Sequence, residues 1–174
     1  MPELQRLRAD HGPAILAFEL ANRAYFAASI SDRGDEYFEQ FSRQHEAMLT
    51  DQAAGTCIFH VLVDDDGAVL GRFNVVDVAD GSAVLGYRVA ERVAGRGVAT
   101  AAVTELCRIA AERYGLRTLR ASVSRGNIAS QKVLLRAGFV ACGPADPADV
   151  GGKQGTAYRR ELVTPADGTR SQTD

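Results

Sequence analysis

A single α/β domain built on a mixed, mainly antiparallel sheet is the fold class predicted by this 174-residue sequence. Three observations predict it. Between Thr56 and Val89 three β-rich runs follow one another, separated by "DDDG" and "ADGS". Asp-Gly and similar turns between such runs are antiparallel hairpin signals. Segments with apolar residues at helical spacing stand before and after this meander. Behind it, a strand–helix–strand unit from Ala83 to Ser124 requires one parallel, right-handed crossover.

The elements follow in order. "ELQRLR" is a short first strand, and "DHGPAILAFELANRAYFAAS" a helix with Pro13 in its first turn. "SDRGD" breaks it, and Asp35 to Thr50 is a second helix with Tyr37, Phe41, His45 and Met48 on one stripe. "TCIFHVLV", "AVLGRFNVVDV" and "AVLGYRV" are the meander strands. A helix from Val98 to Tyr114 comes next, and Gly115 stops it. "TLRASVS" alternates Leu119, Ala121 and Val123 and is a strand. "RGNIASQKVLLRAG" is a turn and a short helix, "FVAC" a strand, "GPADPADVGGKQG" a loop and "TAYRREL" the closing strand. About four helices thus flank the sheet in one domain, residues 1–163. The polar tail, residues 164–174, is predicted to be disordered.

Composition narrows the function classes. A net charge of −2, with basic residues spread along the chain, carries no nucleic-acid footprint. Cys57, Cys107 and Cys142 lie far apart with no C-x-x-C, so neither a disulfide framework nor a metal site is expected; the first two fall in apolar patterns and are predicted core residues. "DDDG" is a charged turn. No apolar run is long enough to span a bilayer and "MPELQRLRADHG" has no signal core, so a cytoplasmic protein without a membrane partner is expected.

The stretch "RVAGRGVAT", Arg92 to Thr100, carries the chemistry. Gly95 and Gly97 stand between a strand and a helix. One reading is structural, because such a turn needs small residues. A dinucleotide fingerprint fits poorly: Thr100 stands where the third small residue belongs, and the loop follows an antiparallel meander. A P-loop is excluded, since no G-K-[ST] follows. The remaining reading is a pyrophosphate cradle, with main-chain N–H groups from Gly95 to Ala99 and the helix dipole facing an anion.

Arg92-Val93-Ala94-Gly95-Arg96-Gly97 resembles the [QR]-x-x-G-x-[GA] signature of the GCN5-related N-acetyltransferases (GNAT). Asn127 to Phe139 resembles the N-x-x-S-x-x-V-L-x-x-x-G-F segment of their Rim-type subgroup, which acetylates N-termini of ribosomal proteins. The resemblance covers the chain from Leu4 to Val163 and implies the GNAT fold, whose central strands splay apart. It implies acetyl-CoA as co-substrate, no metal, and an amine acceptor in a monomer or homodimer. The pyrophosphate would sit on the backbone of Gly95, Arg96, Gly97, Val98 and Ala99, with Arg92 opening the signature. Pantetheine would lie along Tyr87, Arg88 and Val89, and Asn127 would bond it, or else cap its helix. Lys132 and Arg136 would reach the 3′-phosphate.

For catalysis the resemblance implies direct attack of the amine on the thioester, with a backbone N–H near Val89 facing the oxyanion. Many members protonate the leaving thiolate with a tyrosine where this chain has Leu134; Ser130 takes over that neighbourhood. Where the subgroup often has a glutamate base, this chain has Val84. His60, His45 and Asp77 are the other base candidates, but an α-amine, with a pKa of about 7.7, asks little of a base. The acceptor is a protein N-terminus or a small amine. The rival is an idle CoA-binding sensor or partner domain, an idea the missing glutamate supports.

Overall fold

The computed structural model describes residues 1–162; the predicted domain end at 163 and the tail fall outside the described residues. Seven strands form one sheet in the order β1-β2-β3-β4-β5-β7-β6. They are β1 (Glu3–Arg6), β2 (Ile58–Val63), β3 (Val69–Ala79), β4 (Ser82–Val89), β5 (Thr118–Ser124), β6 (Val140–Pro144) and β7 (Gly155–Glu161). Every neighbouring pair is antiparallel except β4 and β5. The crossover between those two is α5 (Val98–Tyr114), which ends on Gly115 in the left-handed region at φ 63°. A second helix, α6 (Ile128–Arg136), leads from β5 to β6.

The two predicted N-terminal helices are each broken. The first splits at Asn22 into α1 (Gly12–Ala21) and α2 (Arg23–Ala27). Asn22 has left helical geometry, with φ −106° and ψ 7°. Its amide donates to Phe18 O at 2.9 Å, and its Oδ1 accepts from the Glu91 N–H at 3.0 Å. A short polar side chain that bonds the backbone competes with helix propagation. The second splits at Gln40 into α3 (Asp35–Glu39) and α4 (Phe41–Ala53).

Each sheet face has its own apolar core. Phe73, Leu106, Leu119, Leu134 and Phe139 lie at the centre of the α5/α6 side. Ile15, Phe18, Phe41, Phe59 and Val61 form the α1/α2/α4 side. The stripe predicted on the second helix faces this latter core, with Phe41 and His45 buried and Tyr37 and Met48 packed at its edge. Cys107 is buried as expected; Cys57 is half-buried.

His60 lies in the middle of β2, 2% exposed, and its Nδ1 has no hydrogen-bond partner among the described residues. Burial, then the positive charges of Arg113 and Arg6, push its pKa down to about 4. The neutral ring is the folded form. The unfolded chain takes up a proton near pH 6.5 while the folded chain does not. The stability His60 protects is therefore complete above pH ~6.5 and declines as pH falls toward about 4. Urea titrations should show wild type losing about 2–3 kcal/mol more than His60→Leu between pH 7 and 4.5. Equal losses in the two proteins would rule this reading out.

Candidate active site

Register explains how the site opens. β4 and β5 pair only at Ser82↔Thr118, Ala83↔Leu119 and Val84↔Arg120. Beyond that point β4 stays on β3 as far as Gly71↔Val89, while β5 stays on β7 as far as Ser124↔Gly155. The strands separate and leave a notch. Ala90 N–H donates to Leu70 O at 2.8 Å. Hydrogen-bonded and non-bonded pairs alternate in an antiparallel ladder, so Arg88/Arg72 is the next bonded pair. Tyr87 and Val89 then direct their N–H and C=O groups away from β3, into the notch.

The glycine bend closes one end. Gly95 and Gly97 have φ of +73° and +77°, where a side chain is strained, and the space around both is open. Gly97 is the N-cap of α5, which carries no side-chain cap and no acid in its first turn. The N–H groups from Gly95 to Thr100 find no acceptor among the described residues; the first bonded one is Ala101, to Gly97 O at 3.0 Å. Unmet main-chain donors gathered where a bend enters a helix are an arrangement suited to an anion.

Three cavities run along the notch. One of about 360 Å³ is bordered by Gly95, Gly97, Ala99, Lys132 and Arg136. A second, about 170 Å³, shares Val89, Gly95 and Val133 with it and reaches Tyr25, Phe26 and Arg88. The third, about 230 Å³, lies between Leu85–Tyr87 and Ala121–Ser124, under Asp149 to Gly151 and Lys153. Ser29, Ile30, Tyr87, Asn127 and Ser130 border both the second and the third, and so mark their junction.

At that junction the Tyr87 hydroxyl meets Ser130 Oγ at 2.8 Å. Burial pushes the phenol up to about 12, against the opposing bond from Ser130. Tyr87 therefore stays protonated at neutral pH and is able to donate, while its ring stacks on Phe73 at 5.8 Å. Asn127 Oδ1 accepts from Ser130 N–H at 3.2 Å, so the cap reading of this residue is observed. Its Nδ2 makes no hydrogen bond among the described residues and stays free at the junction.

The remaining predicted residues scatter. Lys132 stands beside the bend, as does Arg136. Arg96 is exposed and borders none of the three cavities. Arg92 lines a separate cleft beside α1. Arg88 borders the notch, yet its side chain turns to α1, where Nη1 donates to Glu19 Oε2 at 3.1 Å. The candidate bases stand elsewhere: His60 and His45 are buried, and Asp77 is exposed in a bulge at φ 53°. His45 Nε2–H donates to Arg8 O and Ala9 O, which is a structural task. Asp149 borders the third cavity, and sequence reading passed over it because it is one acid in an irregular loop. The hydroxyl of Tyr87 was missed too, because the residue was valued for its backbone. No group of three or more metal-ligating side chains occurs among the described residues.

Comparisons with known proteins now bear on the chain. Residues 3–140 match the family described as acetyltransferase (GNAT) domain. No curated protein sequence matches. Among solved structures, the ribosomal-protein-S5-alanine acetyltransferase from Vibrio fischeri superposes with a TM-score of 0.85 at 18% identity, over 92% of this chain and 93% of that one. RimJ of Mycobacterium smegmatis, in complex with CoA-disulfide, gives 0.80 at 22% identity over 91% and 80%. Spermidine N-acetyltransferase from Vibrio cholerae, in complex with CoA and spermine, gives 0.76 at 15% over 92% and 95%. These likenesses are likenesses of fold, and the splayed sheet with its glycine bend is that fold. Together with the family match over most of its length, they bear out the resemblance in the sequence: the chain belongs to the GNAT family and is an acetyltransferase.

Proposed function

We propose that this acetyltransferase transfers acetyl from acetyl-CoA to a primary amine, with the α-amine of a protein N-terminus as its acceptor. The observation that carries the reading is the row of three cavities, from six unmet N–H groups to a serine–tyrosine junction. The fold likeness to the S5-alanine acetyltransferase and RimJ supports the acceptor class. A small-molecule amine is the second reading, supported by the likeness to the spermidine enzyme.

When bound, acetyl-CoA supplies a thioester carbonyl for the amine to attack. The chain's own residues do the rest. The N–H groups of Gly95 to Ala99, with Lys132 and Arg136 beside them, neutralise phosphate charge. The unpaired N–H groups of Tyr87 and Val89 bond the pantetheine and face the oxyanion, where one preorganised donor is worth about 10²–10³ in rate. Ser130 donates a hydrogen bond from its hydroxyl to the departing sulfur, which solvent then protonates, and Tyr87 orients Ser130. Asp149 is the carboxylate available at the third cavity to take a proton from the amine.

Thiol release from acetyl-CoA with a panel of N-terminal peptides and small amines tests the function. If CoA raises the melting temperature but no amine releases thiol, the chain is an idle CoA-binding domain and the reading fails. Ser130→Ala should lower kcat about ten- to hundredfold, the worth of one hydrogen bond to a charged group, and leave the acetyl-CoA KM within about twofold. Full-rate turnover in that variant would remove Ser130 from the mechanism.

A further inference from the structure

Glu19 of α1 is 1% exposed and is surrounded by three arginines. Its Oε1 accepts from Arg72 Nη1 at 2.8 Å. Its Oε2 accepts from Arg88 Nη1 at 3.1 Å and Arg33 Nε at 3.4 Å. One carboxylate thus stands against three guanidinium groups. Arg72 uses both of its Nη groups nearby, because Nη1 also donates to the Tyr37 hydroxyl and Nη2 to Met48 Sδ, each at 3.0 Å. Arg88 and Arg33 use one nitrogen each. The Nε and Nη2 of Arg88, and both Nη of Arg33, have no acceptor among the described residues.

Other acids nearby do not make up the deficit. Asp32 and Asp35, which flank Arg33 in the same segment, are both held by Arg23 at 2.8 Å. Asp149 borders the third cavity together with Lys153. Aromatic rings fix the two guanidinium planes: Arg88 lies 4.8 Å from the Phe26 centroid and Arg33 4.6 Å from that of Tyr37. Phe26 and Arg88 border the second cavity, and Ser29 and Ile30, just before Arg33, border its junction with the third. Arg88 thus brings unspent donors to the second cavity, and Arg33 stands behind it, on the same Glu19 oxygen. Neither guanidinium is sealed from water, with side chains 30% and 17% exposed for Arg33 and Arg88, yet one carboxylate between them leaves a net positive charge that an anion can meet. Two guanidinium forks sharing one oxygen are suited to receive a second carboxylate.

We propose that the acceptor carries a carboxylate close to its amine, and that Arg33 and Arg88, gathered around Glu19, bind that carboxylate while the amine enters the junction at Tyr87 and Ser130. The proposal rests on the amine-acceptor reading and narrows it. Both a free amino acid and an acidic residue next to a peptide N-terminus present this chemistry. A polyamine does not, and this net positive charge repels it.

The test measures kcat/KM by thiol release for matched acceptors: alanine against alaninamide, an Ala-Glu against an Ala-Gln tripeptide amide, and spermidine. In at least one pair the acidic member should be preferred about ten- to hundredfold, the worth of charge-assisted hydrogen bonds. The pair that shows the preference identifies the source of the carboxylate. Arg33→Gln should collapse that ratio to within about threefold by raising the acidic acceptor's KM, with the acetyl-CoA KM unchanged; Arg33→Lys should restore part of it. Arg33 is a loop residue with its side chain 30% exposed, so its variants fold. Equal use of both members of each pair by wild type, or equal losses for both in Arg33→Gln, overturns the proposal and leaves the function standing. An acetyl-CoA KM that rises with the acceptor KM also overturns it, because the arginines then serve the donor. Thiol release with none of these amines and none of the wider panel defeats the function instead.

Discussion

Gly95→Glu is expected to weaken CoA binding at least a hundredfold while leaving the fold intact. At φ +73° an L-residue is strained by about 1–2 kcal/mol, which a domain of this size tolerates. A Cβ at Gly95 meets nothing within 4 Å, so the new side chain is not expelled by its neighbours and stays in the bend. There it would occupy the space proposed for the diphosphate and set a carboxylate against it. The N–H groups of Gly95 to Thr100, which lack acceptors, are the donors it would engage. At an effective dielectric of about 20, one like-charge contact near 4 Å costs about 4 kcal/mol, close to a thousandfold in affinity. Isothermal titration with CoA should show at least a hundredfold weaker binding, with the circular dichroism spectrum unchanged. Gly95→Ala adds the strain without the charge, and its loss should be about tenfold at most. If Gly95→Glu binds CoA like wild type, the diphosphate sits elsewhere and the account of the bend is wrong.

The bend was legible in the sequence because its physics is local. Left-handed φ at Gly95 and Gly97, helix-forming residues behind them and Gly115 at the far end are all properties of neighbours in the chain. For the same reason α5 and β5 were placed with their observed boundaries. The break at Asn22 was not legible, because what stabilises it is the N–H of Glu91, 69 positions away. The junction was half legible. Ser130 stood out by its match to the Rim-type segment, but its partner Tyr87 lies on a strand 43 positions earlier. That contact exists only because β4 and β5 separate after Val84 and α6 packs behind the opening. Asp149 had no signal, since one acid in a loop of glycines and prolines resembles any solvated residue. The ring of arginines around Glu19 was invisible for the strongest reason. Arg72 carried no signal and Arg88 was named only for its backbone, and only the register shows them side by side.

That ring makes Glu19 a polar side chain whose loss should cost as much stability as a core truncation. Arg72 and Arg88 are direct cross-strand partners, and like charges in that relation repel. Glu19 lies between them and ties α1 to the middle of the sheet. Glu19→Gln keeps the shape and removes the charge. Arg72, its side chain 5% exposed, cannot turn to water, whereas Arg88 at 17% and Arg33 at 30% have some freedom to do so. Leaving a buried charge without its partner costs about 3–5 kcal/mol. For a domain of this size that is a fall in melting temperature of roughly 10 °C. The pair replacement Glu19→Leu with Arg72→Met should recover much of the loss, because it removes the most buried charge together with its carboxylate, and apolar pairs of similar volume replace buried ion pairs at little cost. Thermal unfolding followed by circular dichroism reads both effects. A melting temperature within about 2 °C of wild type for Glu19→Gln would mean that the arginines are hydrated in solution. The α1 wall would then be too wet to hold an acceptor's carboxylate by charge.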